Sequence, residues 1–155
     1  MKKVFPIKAE VHVRFADVDA MGHVNNAHYL TFFEQSRVAY FKKLDSLDFR
    51  FMDMTSAFGF IIADIGVQFL SPAFLDEVMV VRLRVAELGN KSFRFEYEIS
   101  EKETKRKVAT GHSVQVMYNY RKKGTFPIPE SLRSKMLKFQ GGLDPQGRHG
   151  RSQGK

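Results

Sequence analysis

The most constraining feature of this sequence is a long helical pattern over residues 27–44, AHYLTFFEQSRVAYFKKL. Tyr29, Phe33, Tyr40 and Leu44 share one stripe of that helix. Further apolar side chains flank the stripe on both sides, namely Leu30, Phe32, Val38, Ala39 and Phe41. At about 1.5 Å of rise per residue the helix would be ~27 Å long. Because it is apolar on so many sides, the remaining chain has to cover it on several sides.

The segments around this helix predict β-strands. Residues 8–16 alternate between apolar and polar side chains, with Phe15 on the apolar side. Residues 57–70 form a long segment rich in β-branched and aromatic residues, which favours a strand. Three more alternating segments follow, at residues 79–85, 93–99 and 108–118. One face of the last strand carries Val108, Thr110, His112, Val114, Val116 and Tyr118. Short turns between these segments predict an antiparallel meander.

Two segments lie outside this pattern. Residues 45–56 read as a loop or a short, weak helix that acts as a cover. Pro129 followed by Glu130 predicts the start of a short helix that ends at about residue 138. We therefore expect one folded domain over residues 1–138 and a disordered tail over 139–155, which has few apolar side chains.

The predicted element order is one strand, one long helix and then four strands, which is an α+β arrangement. Since the helix needs cover on several sides, an antiparallel sheet that curls round it is the economical solution. A single curled layer of this kind leaves edge strands and exposed apolar surface. We therefore expect at least a homodimer.

Composition narrows the class of protein. A net charge of +8 is compatible with nucleic acid, a phosphorylated small molecule or an acidic carrier protein as partner. The basic residues are scattered over strand faces and polar turns without interleaved aromatics, so a solvated basic surface accounts for most of them, and we predict no nucleic-acid partner. The chain has no cysteine, no signal-peptide core and no apolar stretch approaching the ~20 residues of a membrane span. These features predict a cytoplasmic protein.

Polar residues gather in the loop directly before the long helix, over 16–26. Asp17 and Asp19 lie two residues apart where the first strand ends. An aspartate in such a loop commonly accepts hydrogen bonds from loop amides, which is a purely structural role. A catalytic role gains support from Gly22, which would allow close approach of a backbone to a ligand. Three apolar neighbours would also partly desolvate Asp19 and favour its neutral form, namely Phe15, Met21 and Val24.

The helix entrance adds hydrogen-bond donors to this loop. The backbone amides of Asn25, Asn26 and Ala27 lie where the helix starts, so they can point at a developing oxyanion. A carboxylate facing such amides suits attack on an acyl carbonyl. Thioesters fit best, because a thiol of pKa ~8.5 leaves as thiolate without a strong acid. One carboxylate, acting as general base or nucleophile, then suffices.

The run FADVDAMGHVNNAHYLTFFEQSR resembles the opening motif of the 4-hydroxybenzoyl-CoA thioesterase-like family of acyl-CoA thioesterases. The segments VQFLSPAFLDEV, ATGHSVQVMYNY and PIPESLR are similar to later parts of the same family. The resemblance spans about residues 8–138. It implies the hotdog fold, in which a five-stranded antiparallel sheet wraps round one long central helix. It also implies active sites at a dimer interface, and many members are tetramers.

The resemblance assigns roles to residues of the loop. Asp19 matches the family's catalytic carboxylate, and the Asn26 amide falls where the family polarises the thioester carbonyl. His23 and Asn25 belong to a GHVNN variant also similar to plant acyl-carrier-protein thioesterases, in which the histidine takes part in the proposed catalytic network. Met21 replaces an asparagine of those enzymes, so that network does not transfer whole. The aromatic and proline residues of the hydroxybenzoyl enzymes are absent, which favours fatty acyl groups.

Purely structural interpretations are also open for several of these residues. His23 could bond loop backbone, and Tyr29 and Phe33 suit the core as well as an acyl pocket. Glu34 is expected to pair with Arg37 or with a neighbouring subunit, and is a minor catalytic candidate. We predict no metal and no cofactor, because the histidines lack partners at metal-ligand spacing. The substrate would be an acyl-CoA or an acyl-carrier-protein thioester. The alternatives are a hotdog hydratase or dehydratase and a non-catalytic acyl-CoA-binding module.

Overall fold

The structure is a computed structural model that describes residues 3–44 and 58–140. Its elements are β1 Ile7–His12, a 3-10 turn Phe15–Asp17, α1 His28–Lys43, β2 Phe58–Phe69, β3 Val78–Leu88, β4 Ser92–Glu101, β5 Lys107–Asn119, β6 Gly124–Thr125 and α2 Glu130–Gln140. The sheet has the order β1-β3-β4-β5-β2 with antiparallel pairing, and the two-residue β6 pairs with the end of β5. An antiparallel sheet with one long helix packed against it confirms the predicted hotdog fold.

Aromatic side chains fill the space between α1 and the sheet. Phe33, fully buried, stacks on Tyr97 of β4 with ring centroids 4.1 Å apart. About two turns further along the helix, Tyr40 makes an edge contact with Phe95, with ring centroids 5.0 Å apart. Aromatic pairs of this kind contribute ~0.5–1.5 kcal/mol each beyond the area they bury. The helix pattern of the sequence therefore corresponds to the real packing surface.

Gly111 of β5 allows the closest approach between helix and sheet. A Cβ atom at this position would lie 2.5 Å from Cζ of Phe33 and 2.6 Å from the backbone oxygen of Gly66. Both distances are far below van der Waals contact, and the backbone oxygen has little freedom to move. The absence of a side chain at this position is therefore what lets Phe33 reach its stacking partner.

The two faces of β5 differ in burial over its second half. Ser113, Gln115 and Met117 are fully buried, whereas His112, Val114 and Tyr118 of the other row are only partly buried. The inner face tolerates polar side chains because they hydrogen-bond one another. Ser113 Oγ lies 2.5 Å from both the Tyr97 hydroxyl and the Gln115 side-chain amide.

Both ends of the chain differ from expectation. Strand β1 ends at His12 and the chain enters a 3-10 turn, so Phe15 is 84% exposed and does not join the core. Helix α2 runs two residues beyond its predicted end, because the buried Gln140 accepts a hydrogen bond from the Val85 amide at 2.9 Å. That amide adjoins a bulge in β3. The predicted cover over 45–56 and the rest of the predicted tail lie outside the described residues.

The turn between β4 and β5 is built on the carboxylate of Glu101. It accepts hydrogen bonds from the Thr104 hydroxyl and amide, both at 2.7 Å, and from the Glu103 amide at 3.1 Å. These bonds, those from Thr104 first, lower the pKa of Glu101 from 4.5 to about 2. The ionised carboxylate is therefore part of the folded turn.

Strand β2 has one unpaired edge. Among the described strands it pairs only with β5. Large apolar side chains on it and just beyond it are 38–48% exposed, namely Ile61, Ile62, Phe69 and Leu70. A long apolar edge strand is a site at which another chain can add. No helix in the described parts of the chain is long and apolar enough to cross a membrane.

Candidate functional site

The loop before α1 is held by its own backbone and by the loop after β2. Val18 and Val24 form an antiparallel bridge, and the Gly22 amide donates to the Asp19 carbonyl at 3.0 Å. Gly22 has φ +84°, a conformation that side chains disfavour, so glycine is required here by backbone geometry. The Val24 amide donates to the Ala73 carbonyl at 2.8 Å. This bonding fixes the loop against the body of the sheet.

Within this loop the Asp19 carboxylate is partly buried and has two hydrogen-bond donors. The Met21 amide donates to Oδ1 at 2.9 Å, and the side-chain amide of Asn25 donates to Oδ2 at 3.1 Å. The predicted apolar surroundings are wrong in two of three cases, because Phe15 and Met21 are 84% and 78% exposed. Only Val24 is buried. Asp19 is thus oriented by neutral donors and keeps access to solvent.

Asn25 connects that carboxylate to the helix entrance. Its side-chain oxygen accepts from the Ala27 amide at 3.0 Å, its carbonyl accepts from the His28 amide at 3.0 Å, and its own amide donates to the Asp17 carbonyl at 2.8 Å. The amides of Asn25 and Ala27 are therefore occupied. The remaining amide of the predicted trio, that of Asn26, has no acceptor within the described parts of the chain. It lies directly before the positive end of the 16-residue helix α1.

Asp17, the other carboxylate of the motif, is in a different environment. It is 1% exposed, and Arg14 donates to it through Nη2 at 2.9 Å, through Nε at 3.2 Å and through its backbone amide at 2.8 Å. The His28 ring nitrogen Nδ1 is 3.0 Å away. These partners, Arg14 first, lower the pKa of Asp17. Sequence reasoning missed this pairing, although the i, i+3 spacing of Arg14 and Asp17 was a usable signal.

This loop and helix α1 lie in a segment that matches a known protein family. The family model described as the thioesterase-like superfamily matches residues 13–136. The chain belongs to the thioesterase-like superfamily. The matched segment starts just before the Asp19 loop and includes every strand from β2 to β6.

Similar proteins of the thioesterase-like superfamily include two with curated names. The long-chain acyl-CoA thioesterase FadM of Escherichia coli (strain K12) is 29% identical over 86 residues, which are 56% of this chain and 63% of that protein. The acyl-CoA thioesterase YbgC of Haemophilus influenzae is 28% identical over 89 residues, which are 57% of this chain and 65% of that protein. The match thus spans a little less than two thirds of each relative.

A solved structure is similar over a larger share. A thioesterase from Thermus thermophilus, crystallised with coenzyme A and Zn, is 31% identical. The alignment covers 88% of this chain and 95% of that one, with a TM-score of 0.74. In the described parts of our thioesterase-like chain, no group of three or more His, Cys, Asp or Glu side chains is placed to hold a metal ion.

His23 of this thioesterase-like loop lies against backbone. It is partly buried, and its Nδ1 is 3.4 Å from the Val24 carbonyl oxygen. Since a carbonyl only accepts, this contact is a hydrogen bond when Nδ1 carries the proton, and the neutral ring then offers Nε2 as an acceptor. Its own carbonyl accepts from the Asp19 amide at 3.2 Å. His23 therefore contacts the backbone of Asp19, whereas the hydrogen bonds to its carboxylate come from other residues.

Tyr29 and Phe33 lie on the inner side of α1. Tyr29 is 2% exposed and meets the edge of Phe69 at 5.0 Å, and burial raises the pKa of its hydroxyl. Phe33 is fully buried. Glu34 is exposed and does not pair with Arg37, whose guanidinium donates instead to the Tyr97 hydroxyl at 3.1 Å. The alternative pairing of Glu34 with a neighbouring subunit stays a prediction.

Proposed function

We propose that this chain is an acyl-CoA thioesterase that hydrolyses acyl thioesters, with fatty acyl groups as its main substrates, to free acid and thiol. The observation that carries the proposal is the junction at Asn25. One side chain holds the Asp19 carboxylate at 3.1 Å and at the same time accepts from the Ala27 amide at 3.0 Å, beside the Asn26 amide, which has no acceptor among the described residues. The names of the similar proteins support the same reaction class.

The reaction needs few groups. Asp19 removes a proton from water, or attacks the carbonyl carbon itself, and the negative charge that develops on the carbonyl oxygen is stabilised by the Asn26 N–H. The helix dipole favours charge at the same place. Collapse of the tetrahedral intermediate releases coenzyme A thiolate, or the thiolate of an acyl carrier protein, whose low basicity makes a dedicated acid unnecessary. When Asp19 is the nucleophile, this leaves a mixed anhydride on Asp19, which water then hydrolyses to the free acid. His23 orients the loop, and Tyr29 and Phe33 form the wall along which the acyl group lies.

The functional unit in this proposal is a homodimer or a homotetramer. The free edge of β2 and its exposed apolar side chains support addition of a second copy along this strand. The same strand carries Phe69, which contacts Tyr29 near the helix entrance. A partner added at this edge would therefore lie close to the substrate path, and we place the active site at that junction.

The carboxylate is tested by Asp19→Asn, with hydrolysis of a series of fatty acyl-CoA followed by a thiol reagent. We expect kcat to fall by ~10²–10⁴-fold, which is what a general base contributes. Asp76→Asn is the matched control, because Asp76 is exposed and its φ of +67° is a conformation that asparagine accepts. Near-wild-type turnover by a folded Asp19→Asn variant would remove Asp19 from the mechanism.

The oxyanion donor is tested by Asn26→Pro, which deletes the N–H that has no described acceptor. Proline is tolerated near the first turn of a helix. We expect kcat to fall by ~10²–10³-fold with the helical content retained. Asn26→Ala keeps the N–H and should stay within a few-fold of wild type. Equal activity of the two variants would show that the Asn26 amide is not the donor.

One geometric feature favours the hydratase alternative. His28 on α1 and Asp17 in the preceding turn form a histidine–carboxylate pair at 3.0 Å, with the two residues on different elements. A hydratase would add water to the double bond of an enoyl-CoA and leave the thioester intact. Loss of the conjugated absorbance without release of free thiol would identify that reaction. Release of thiol from the saturated series would identify the thioesterase.

A further inference from the structure

The fold gathers basic residues that are spread along the sequence. β3 and β5 finish at the same end of the sheet, where the turns 89–91 and 120–123 lie next to the start of α2. Residues 89–91, 119–125 and 129–133 together contain five Lys or Arg and one Glu, which gives a net charge of +4. We call this region the basic end. Its cations are Lys91, Arg121, Lys122, Lys123 and Arg133.

Hydrogen bonds hold the separate segments of the basic end together. Lys91 Nζ donates to Thr125 Oγ1, beyond the second turn, at 3.4 Å. From α2, the Arg133 guanidinium donates to the backbone carbonyls of Gly89 and Asn90 in the first turn. The two turns and the helix therefore form one connected surface, although they come from distant parts of the sequence.

The second turn is also fixed from within. The side-chain oxygen of Asn119 accepts from the backbone amides of Arg121 and Lys122, both at 3.0 Å. Lys122 and Lys123 are exposed. In the part of the chain that the structure describes, no carboxylate lies within ion-pair distance of either lysine. The tip of this hairpin therefore presents its positive charge to the solvent.

The end of the molecule that holds the helix entrance has no such excess of positive charge. Residues 13–26, 70–77 and 101–107 surround that end and contain five Lys or Arg against six Asp or Glu. Within one protomer, the entrance thus offers no positive field to a thioester whose carrier group is anionic. The cations of the basic end lie at the other end of the strands.

A dimer formed through β2 brings the two ends together. Two copies of β2 that add edge to edge about a two-fold axis normal to the sheet run antiparallel. Within one protomer Phe58 pairs with Asn119, so the turn 120–123 lies at the Phe58 end of β2. The helix entrance lies at the Phe69 end, because Phe69 contacts Tyr29. In such a dimer the basic end of the partner subunit therefore lies beside the entrance of this protomer.

The extent of the basic end indicates the size of its ligand. The Lys91 carbonyl accepts from the Met117 amide, so the two turns lie roughly 10 Å apart along β5. Arg133 adds a third element. A small anionic ligand is usually held in a concave site, whereas cations distributed over two hairpin tips and a helix match the acidic face of a protein.

We propose that the basic end docks an acidic carrier protein, and that it does so across the dimer. The carrier protein lies on the basic end of the partner subunit, and its phosphopantetheine arm places the acyl thioester at the neighbouring entrance. Charge complementarity is the main source of recognition, so docking weakens with added salt. This inference rests on the proposed thioesterase function and specifies the partner that delivers the substrate.

The first test compares one acyl group on three carriers, namely an acidic carrier protein, coenzyme A and pantetheine. At low salt we expect the highest kcat/KM for the carrier protein, with a steep fall as NaCl is added. Lys122→Glu/Lys123→Glu should lower the ratio of kcat/KM for the carrier protein to that for pantetheine by about 10- to 100-fold, mainly through KM. Lys8→Glu/Lys42→Glu is the matched control, because it reverses two exposed charges beside the other edge strand, β1, and should leave this ratio unchanged.

The second test asks whether the basic end acts across the dimer. Asp19→Asn subunits are co-expressed with Lys122→Glu/Lys123→Glu subunits under two affinity tags, and the mixed dimer is purified. One of its sites combines an intact Asp19 with an intact basic end from the partner subunit. We expect that site to restore about half of the wild-type activity on the carrier protein. A basic end that served its own protomer would leave the mixed dimer as impaired as the lysine variant alone.

Three outcomes overturn the inference and leave the thioesterase function standing. They are a higher kcat/KM for coenzyme A than for the carrier protein at every salt concentration, equal losses on both in the lysine variant, and no recovery in the mixed dimer. Equal losses would mean that the basic end binds the phosphates of a small ligand. If no thioester on any carrier is hydrolysed, the proposed function fails and the inference fails with it.

Discussion

Replacement of Asn25 by alanine separates the two functions that this side chain combines. In the structure Asn25 donates to the Asp19 carboxylate at 3.1 Å and accepts from the Ala27 amide at 3.0 Å. Alanine removes both hydrogen bonds. The lost bond to the Ala27 amide, in the turn just before α1, costs ~0.5–1.5 kcal/mol. The lost bond to a charged but partly exposed group adds ~1 kcal/mol. We therefore expect the free energy of unfolding to fall by roughly 1.5–2.5 kcal/mol.

The catalytic effect of Asn25→Ala should be separate from its effect on stability. Without the Asn25 donor the Asp19 carboxylate is held by the Met21 amide alone, so its orientation relative to the Asn26 amide is less defined. Misplacement of a reacting group by about 1 Å costs on the order of 10²-fold in rate. We expect kcat to fall by about 10- to 100-fold, measured by thiol release at a temperature well below the unfolding transition. Urea denaturation gives the stability change.

Asn25→Asp is the matched control, because aspartate can still accept from the Ala27 amide but cannot donate to Asp19. It should keep more of the stability than alanine does and still lose activity, since it places a second carboxylate beside the first. The reasoning would be refuted if Asn25→Ala unfolded at the wild-type urea concentration. Reduced stability with unchanged kcat would leave Asn25 as a structural residue of the turn without a role in positioning Asp19.

Three further predictions concern stability and assembly. Gly111→Ala should cost ~1–3 kcal/mol in urea denaturation, because the new Cβ would lie 2.5 Å from Phe33. Hydrogen bonds hold the pKa values of Asp17 and Glu101 low in the folded state, so the protein takes up protons when it unfolds in acid. The thermal stability should therefore fall between pH 4.5 and pH 2. Glu101→Gln should make this fall less steep. Ile62→Lys, on the free edge of β2, should shift the protein from dimer or tetramer to monomer in size-exclusion chromatography with light scattering.

Most of the fold could be predicted because α1 is apolar on several sides over a long stretch. Its predicted bounds of 27–44 differ by one residue at each end from His28–Lys43. Two details could not be predicted from periodicity. Phe15 continues the alternation of β1 in sequence, but the chain has already turned at that point. Ser113 and Gln115 look like surface residues, and only the spatial closeness of Tyr97 and Arg37 shows how their polar groups are satisfied when buried.

The sequence was enough to locate the candidate site in the loop before α1, but not to assign the role of each residue in it. Asp19 and Asn25 are six residues apart in one loop, so sequence alone brings them to the same helix entrance. The oxyanion donor could be selected from the amides of Asn25, Asn26 and Ala27 only with the structure. The Ala27 amide donates to the Asn25 side chain, and the Asn25 amide donates to the Asp17 carbonyl. The spacing of Arg14 and Asp17 could have indicated their ion pair, but the burial of Asp17 needed the three-dimensional structure.

The contrast between the two aspartates explains why only Asp19 is suited to act as the base or nucleophile of a thioesterase. A carboxylate has about four acceptor sites. Three of those of Asp17 accept hydrogen bonds from Arg14, the His28 ring nitrogen lies 3.0 Å from Oδ1, and the side chain is 1% exposed. Asp19 receives two donors and is partly exposed, so two sites remain for water or substrate. Asp17 fixes the loop because it is buried and held by Arg14, whereas Asp19 can take up a proton or attack a carbonyl because it stays accessible.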